Sequence, residues 1–300
     1  MNIDSDLYKE RSCAKCLHSA FDLFFTNIMS IVRKTWMYAV AFSLVFALYA
    51  IYDAPTADDP QFVQKAWLFI GVSVLVLIAA FVAFHLFVGQ VFHLRNEQPR
   101  RLCMLRSLKV GLLNIAQFIV VGAIAAVIAL QAGGLLQQQS LPRLFIVIVL
   151  TLLLILVVVA CVPFAYTTIK YMEEPDFRFQ QLFGKTYRQG WRYWGFLVIN
   201  FIVIGLIEAV VNLLAATPLV VLILAKGNNN FGLTLGDEDG LPGSFGVLMF
   251  ITTLVYCLVL LYTLIWQMFV QTYAYGHIEA NLQIRQQMKA DAQNLAPQTI

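Results

Sequence analysis

Six long apolar stretches separated by polar segments make up most of the chain. A helix that crosses the roughly 30 Å hydrocarbon layer of a bilayer needs about 20 consecutive, mostly apolar residues. Stretches of about this length and composition predict transmembrane helices at residues 36–52, 66–92, 110–130, 144–169, 193–216 and 247–275. Pro218 interrupts the apolar run that follows the fifth stretch, and proline removes a backbone donor and clashes with the preceding turn. We therefore predict that the fifth helix ends or kinks at Pro218, with 219–225 as a separate short segment.

Basic residues lie almost entirely on one side of the predicted helices, and this sets their orientation. Cytoplasmic loops of membrane proteins collect Lys and Arg. Of the 20 Lys and Arg residues, only Lys65, Arg143 and Lys226 fall on the other side. The other side also holds two acidic clusters, which are Asp53, Asp58 and Asp59, and Asp237, Glu238 and Asp239. The charge pattern predicts a multi-pass protein of the bacterial cytoplasmic (inner) membrane with its N- and C-termini in the cytoplasm.

Composition supports a membrane protein with one domain. Hydrophobic residues make up 60% of the 300 residues and charged residues 12%, whereas ordinary globular domains have about 25% charged residues. The net charge of +3 is small, and the basic residues are not clustered in the manner of a nucleic-acid-binding surface. The N-terminus is polar and does not fit a cleaved signal peptide. We divide the chain into a polar cytoplasmic N-terminus (1–16), a six-helix membrane domain (17–285) and a polar cytoplasmic tail (286–300).

The predicted helices form three hairpins of similar organisation. Each has a basic amphipathic lead-in, an outgoing helix, an external loop and a longer returning helix. The returning helices end alike, at 93–97 (HLRNE), 170–174 (KYMEE) and 277–279 (HIE). A basic or titratable residue at a membrane boundary commonly extends to the headgroups, which explains these endings without any further role. The predicted fold class is an all-α polytopic bundle of six transmembrane helices in three hairpins, with interfacial amphipathic helices.

Two of the lead-ins have the pattern of helices that lie in the membrane interface. Apolar residues of the first recur at helical spacing, at positions 17, 21, 24, 25, 28 and 32. The second, 177–194, mixes aromatic with basic residues, and these types meet headgroups and anionic lipid respectively. Its candidate lipid-headgroup contacts are Lys185, Arg188, Trp191, Arg192 and Trp194. An ordinary connector folded against the bundle is the alternative for this segment.

Glu208 is the one acidic residue inside a predicted span. A carboxylate in lipid costs at least about 2.5 kcal/mol, so it should face the bundle, find a partner or hold its proton. Asn212 follows one turn later on the same face, and Asn200 lies on the same side. His85, Asn114 and Gln117 form a second candidate polar group near the cytoplasmic face. A polar pathway and simple hydrogen bonding between helices explain this candidate intramembrane site equally well.

Signatures of known chemistry are absent from the sequence. It has no GxSxG, HExxH, GxxxxGK[ST] or GxGxxG motif. Cys13 and Cys16, followed by His18, resemble half of a metal site, but a structural zinc needs four ligands. Five cysteines, an odd number, do not predict a disulfide framework. The sequence thus predicts no catalytic residue, no metal and no cofactor.

The hairpin pattern resembles a family of bacterial six-helix membrane proteins that includes the membrane domain of some glycerophosphodiester phosphodiesterases. The resemblance rests on the aromatic-basic segment at 183–194, on the ending YAYGH at 273–277 and on the alternation of loops. It covers roughly residues 17–285 and concerns architecture. In that family the phosphodiesterase activity belongs to a separate soluble barrel, so the resemblance implies no activity for this chain.

Three functions are compatible with these observations. The first is a non-catalytic membrane protein in envelope or lipid-associated organisation, or a partner subunit, whose partners would be anionic membrane lipid, another protein or a second copy of itself, and not nucleic acid. The second is a small transporter or channel with a polar pathway near Glu208. The third is a membrane-embedded enzyme, which would need two titratable side chains converging in a cavity.

Overall fold

The fold is known from a computed structural model, which describes residues 7–52, 61–96, 98–137, 141–238 and 240–295. All regular structure in these residues is helical. The α-helices are α1 (Cys13–Ala50), α2 (Phe62–Asn96), α3 (Arg100–Gln137), α4 (Leu141–Glu173), α5 (Lys185–Arg192), α6 (Trp194–Thr234) and α7 (Phe245–Leu295), with a 3₁₀ helix at Phe179–Phe183.

Six of these helices are long and apolar enough to span a bilayer, namely α1, α2, α3, α4, α6 and α7. The most apolar parts of α3 and α4 contain no residue that is buried within the protein. Apolar surface that the protein itself does not bury is unfavourable in water and favourable in lipid. In lipid, a helix satisfies its own backbone hydrogen bonds. The fold therefore defines a polytopic helical membrane protein, and the prediction of six spans in an all-α bundle is confirmed.

The helix does not end at Pro218, and 219–225 is not a separate segment, because α6 continues through this residue to Thr234. The hydroxyl of Thr217 donates to the Leu213 carbonyl at 2.7 Å and adds a hydrogen bond to the turn that contains the proline. Hydroxyl groups of this kind help transmembrane helices to tolerate proline. The helix ends instead near Gly236, whose φ of 91° is a left-handed conformation typical of helix C-termini. The polar segment between α6 and α7 therefore begins only after Thr234.

The helices also extend beyond the predicted spans at other places. The amphipathic lead-in at 17–33 is not a separate helix, since α1 runs without interruption from Cys13 to Ala50. The tail at 286–300 is helical as far as Leu295. Asp53, Asp58, Asp59 and Asp239 lie outside the described residues. Hydrophobicity locates the part of a helix that crosses lipid, whereas the ends in water depend on capping and tertiary contacts.

The chain forms two compact units. The second unit consists of 20–94 and 202–269, and one face of α1 supplies much of its core. Thr35, Ala39, Ser43 and Ala47 follow each other at intervals of four residues, and each has 0% of its surface exposed. Small residues at this spacing let neighbouring helices approach closely in membranes. Contacts on this face include the Thr35 and Tyr262 hydroxyls, 3.4 Å apart.

The first unit consists of 1–19, 95–201 and 270–300, and polar side chains near the ends of α2 and α4 join these helices within it. Arg95 forms a salt bridge with Glu173, and both side chains are buried. The side chains of Asn96 and Gln98 donate to the carbonyls of Met172 and Glu173 at 3.4 and 2.7 Å. Two of the three similar helix endings in the sequence are therefore bound to each other.

The third ending, in α7, is joined to α4 by a second polar group, which we call the Lys170 cluster. It consists of Tyr166, Lys170, Glu174, Tyr275 and Glu279. The Nζ atom of Lys170 lies 2.6 Å from Oε1 of Glu279 and 3.3 Å from Oε1 of Glu174. Tyr166 donates to Glu279 and Tyr275 donates to Glu174. These endings thus hold helices together rather than only extending to headgroups.

The N-terminal segment packs against α7 within the same unit. The backbone N–H of Arg11 donates to Nδ1 of His277 at 2.9 Å, and the Arg11 guanidinium lies 4.9 Å from the centre of the Tyr273 ring. Leu7 is buried, with 3% of its surface exposed, and its carbonyl lies so close to Gly276 that a Cβ atom there would be 2.2 Å away. Only glycine allows this approach.

Candidate functional site

The short helix α5 packs tightly against α4 in the first unit. A Cβ atom on Gly190 would lie 3.0 Å from both the Cβ and the carbonyl oxygen of Pro163, so the missing side chain permits close contact. The Tyr187 hydroxyl donates to the Ala160 carbonyl at 2.8 Å. The acceptor lies in the turn that precedes Pro163, where the proline ring leaves α4 without one backbone N–H donor. The contact fixes one face of α5 against the bundle.

The opposite face of α5 is basic and exposed. Lys185, Arg188 and Arg192 follow at i, i+3 and i+7, which places them on one side of the helix. All three are exposed, whereas Thr186 and Gly190 on the packed side are buried. Trp191 and Trp194 also remain accessible, with 37% and 44% of their surfaces exposed. The five candidate headgroup contacts thus lie on exposed surface at α5 and the first residue of α6, and we call these five residues the α5 basic face.

The height of α5 follows from the length of the apolar part of α4. Counting about 20 residues, the number that crosses the hydrocarbon layer, from Leu144 leads to Pro163. Pro163 and Ala160 contact α5, so we expect the short helix to lie near the edge of the hydrocarbon if the span begins at Leu144. Trp side chains favour this level, and basic side chains there reach the headgroups.

A pocket of about 500 Å³ lies elsewhere in the same unit, between α3 and the turn that follows α4. Its lining consists of Leu102, Leu105, Arg106, Lys109, Tyr171, Phe177, Arg178, Phe179 and Gln180. The pocket was not predicted from the sequence, in which Arg106, Lys109 and Arg178 only contribute to the charge pattern that predicts the orientation. The available signal was the spacing of Leu102, Leu105, Arg106 and Lys109, which lie on one face of α3.

Three of the predicted intramembrane polar residues, Glu208, Asn212 and His85, belong to the second unit, and their surroundings differ from one another. The Oε1 atom of Glu208 and the Oδ1 atom of Asn212 are buried and have no hydrogen-bond partner among the described residues. They are one turn apart on α6. His85 is 6% exposed, and its ring lies 4.5 and 5.1 Å from the rings of Phe81 and Phe84. Aromatic packing therefore accounts for much of the environment of His85.

The remaining three candidates belong to the first unit. Asn200 is buried and accepts a hydrogen bond from the Cys13 thiol at 3.2 Å, while its amide donates to the Phe196 carbonyl at 2.8 Å. Asn114 and Gln117 lie on α3 and are half-buried. The Nε2 atom of Gln117 is buried without a hydrogen-bond partner in the part of the chain that the structure describes. Asn200 thus has a clear packing role, which the sequence did not indicate.

A larger apolar groove of about 640 Å³ lies in the second unit. It is lined by Phe21, Phe24, Phe25, Ile28, Val32, Ile207, Val211, Leu258, Val259, Tyr262, Thr263 and Trp266. The apolar face of the lead-in therefore contributes to a groove instead of being fully packed. Glu208 lines neither this groove nor the pocket beside α3.

Cys13 and Cys16 are free thiols, as are the other three cysteines. No group of three or more His, Cys, Asp or Glu residues within the described ranges could hold a metal ion. The position of Cys13 against Asn200 gives this cysteine a packing contact.

No family model matches the chain, and no curated protein or solved structure matches it either.

Proposed function

We propose that this protein is a non-catalytic integral protein of the bacterial cytoplasmic membrane that binds anionic lipid at its cytoplasmic surface. In this role it organises lipid at the envelope or presents a lipid-bound surface to a partner subunit. The observation that carries the proposal is the exposed α5 basic face on a helix that packs against α4 through Gly190 and Pro163.

Charge and position both support this assignment. The cytoplasmic leaflet is anionic, and each Lys or Arg near it contributes about 1 kcal/mol to binding. Lys185, Arg188 and Arg192 point away from the packed side of α5, so together they supply about 3 kcal/mol, or on the order of 100-fold in affinity. The charge distribution of the loops supports a cytoplasmic location for this face.

Neutralising the α5 basic face is the direct test. In the variant Lys185→Gln/Arg188→Gln/Arg192→Gln, we expect retention of phosphatidylglycerol to fall by on the order of 10- to 100-fold, because three headgroup contacts are lost. Phosphatidylethanolamine retention should change little. Native mass spectrometry of the full chain, purified in detergent and titrated with each lipid, measures both quantities.

A matched control removes the same charge from the side predicted to be external, by Lys65→Gln/Arg143→Gln/Lys226→Gln. This control should retain phosphatidylglycerol like the unmodified chain. Equal loss in the two triple variants would mean that only net charge matters, and the proposal would then be wrong. Retention of neither lipid by the unmodified chain would also reject it.

A small transporter or channel is the second candidate, and it is favoured by the two buried acceptors on α6, Glu208 Oε1 and Asn212 Oδ1. A carboxylate in this position is costly unless it binds a proton or a cation. In this case Glu208→Gln should abolish proton or cation flux into vesicles containing the full chain, measured with a pH-sensitive or cation-sensitive dye, while the protein remains folded. The control Glu238→Gln removes an exposed carboxylate from the loop before α7 and should leave flux intact. Absence of flux in the unmodified chain would exclude this function.

A further inference from the structure

The pocket between α3 and the turn after α4 has the features of a binding site for a single anion. It has a volume of about 500 Å³ and combines apolar side chains with three basic ones. Pockets of 300–1,000 Å³ with apolar walls and a few placed polar groups are typical ligand sites. The three basic residues, Arg106, Lys109 and Arg178, do not have equivalent roles.

Arg106 is part of the wall, and both of its terminal nitrogens are already hydrogen-bonded. It is 6% exposed, and one of its terminal nitrogens donates to the carbonyls of Tyr171 and Glu174, each at 2.6 Å. The other donates to the carbonyls of Pro175 and Phe177. These four acceptors include carbonyls at the end of α4, where the helix dipole is negative. Arg106 thus neutralises a region that would otherwise repel an anion.

Lys109 and Arg178 are the cations that remain available at the pocket. Both are exposed, and neither forms an ion pair with any other residue in the described ranges. The acidic residues nearest in sequence, Glu174 and Asp176, do not line the pocket, and the Glu174 carboxylate accepts from Tyr275. A site with two unpaired cations and no lining carboxylate is complementary to a phosphate group.

The position of Lys109 identifies where such a phosphate would come from. Lys109 immediately precedes the apolar part of α3 at 110–130, so its ammonium lies at headgroup level. Leu105, which is 58% exposed, and the rings of Phe177 and Phe179 add an apolar surface beside the charges. A ligand with a phosphate next to apolar groups fits this combination, and a glycerophospholipid has both.

We propose that the pocket binds the phosphate group of one anionic glycerophospholipid, held by Lys109 and Arg178 and separated from the carbonyls of the α4 end by Arg106. This inference rests on the proposed lipid function and deepens it, because it assigns one specific lipid in addition to the lipids at the α5 basic face. Basic pockets of membrane proteins bind lipid headgroups in this way.

The test uses the full chain in detergent and native mass spectrometry, with phosphatidylglycerol and inorganic phosphate as separate probes. With the α5 basic face neutralised by Lys185→Gln/Arg188→Gln/Arg192→Gln, the chain should still retain one phosphatidylglycerol in the pocket, and inorganic phosphate should not displace it. Lys109→Gln/Arg178→Gln should weaken this single binding event by about 30-fold. Lys109→Arg/Arg178→Lys should keep most of the affinity for this lipid, because it keeps both charges. Size-exclusion chromatography and circular dichroism check that each variant is folded.

The matched control is Arg100→Gln/Arg101→Gln, which removes two exposed basic residues from the same helix outside the pocket. It should bind the single lipid like the unmodified chain. If the pocket variant binds as tightly as this control, while neutralising the α5 basic face still releases lipid, the pocket assignment is wrong and the proposed function stands. If the unmodified chain binds inorganic phosphate and no phosphatidylglycerol, and the pocket variant loses that phosphate, the site is for a free phosphate and the lipid function fails.

Discussion

Lys170→Met is expected to lower the free energy of unfolding by about 3 kcal/mol, because it removes the cation from the Lys170 cluster. The Lys170 ammonium contacts the carboxylates of Glu279 and Glu174 at 2.6 and 3.3 Å. The side chains of Lys170 and Glu279 are only 14% and 13% exposed, so water would solvate the unpaired Glu279 carboxylate poorly. Breaking a buried ion pair by removing one partner typically costs about 3–5 kcal/mol, and residual exposure places this case at the lower end. Unfolding of the detergent-solubilised chain by added denaturing detergent, followed by circular dichroism, measures the change.

The double variant Lys170→Met/Glu279→Leu separates the value of the ion pair from the cost of leaving one charge unpaired. A buried ion pair can often be replaced by apolar residues of similar size with little loss, so the double variant should recover most of the stability. The hydroxyl of Tyr166 loses its acceptor in Glu279, which leaves a residual cost of about 1 kcal/mol. If Lys170→Met alone is as stable as the unmodified chain, the cluster does not join α4 to α7.

The membrane part of this fold is predictable from the sequence because lipid imposes one simple requirement. A span of about 20 residues must be apolar and helical, so each of the six helices is visible as an apolar stretch. Their ends are less predictable. The GNNN segment at 227–230 has the composition of a turn, yet α6 continues through it, and the helix ends where Gly236 adopts a positive φ.

The polar contacts between helices depend on distant partners and could not be predicted from local patterns. The sequence shows that the returning helices end with similar basic and acidic residues. It does not show that Lys170 binds Glu279, which is 109 positions away, instead of reaching the headgroups. The pocket beside α3 was missed for the same reason, because Arg106 in its lining binds the carbonyls of Tyr171 and Glu174, which are 65 and 68 positions away. The α5 basic face was found because all its residues lie within one short segment.

Gly276→Ala is expected to displace the N-terminal segment from α7. The new Cβ atom would lie 2.2 Å from the Leu7 carbonyl oxygen, and a backbone atom cannot move aside as a flexible side chain can. Overpacking of this kind costs about 1–3 kcal/mol, which shifts the docking equilibrium by about 10- to 100-fold. Cys16 is 0% exposed and lies in the first turn of α1, directly after the N-terminal segment and within the first unit. Its maleimide labelling rate should rise by this factor in a background where Cys13, Cys103, Cys161 and Cys257 are replaced.

The matched control is Gly195→Ala in α6, where a new Cβ atom meets nothing within 4 Å. Alanine is favoured over glycine in a helix by about 1 kcal/mol, so this variant should be at least as stable as the unmodified chain and should leave Cys16 protected. In Gly276→Ala the same gain in helix propensity applies whether or not the N-terminal segment is docked, so an accelerated labelling rate would report the clash with Leu7. Equal protection of Cys16 in the two variants would mean that the segment is not held by its close approach to Gly276.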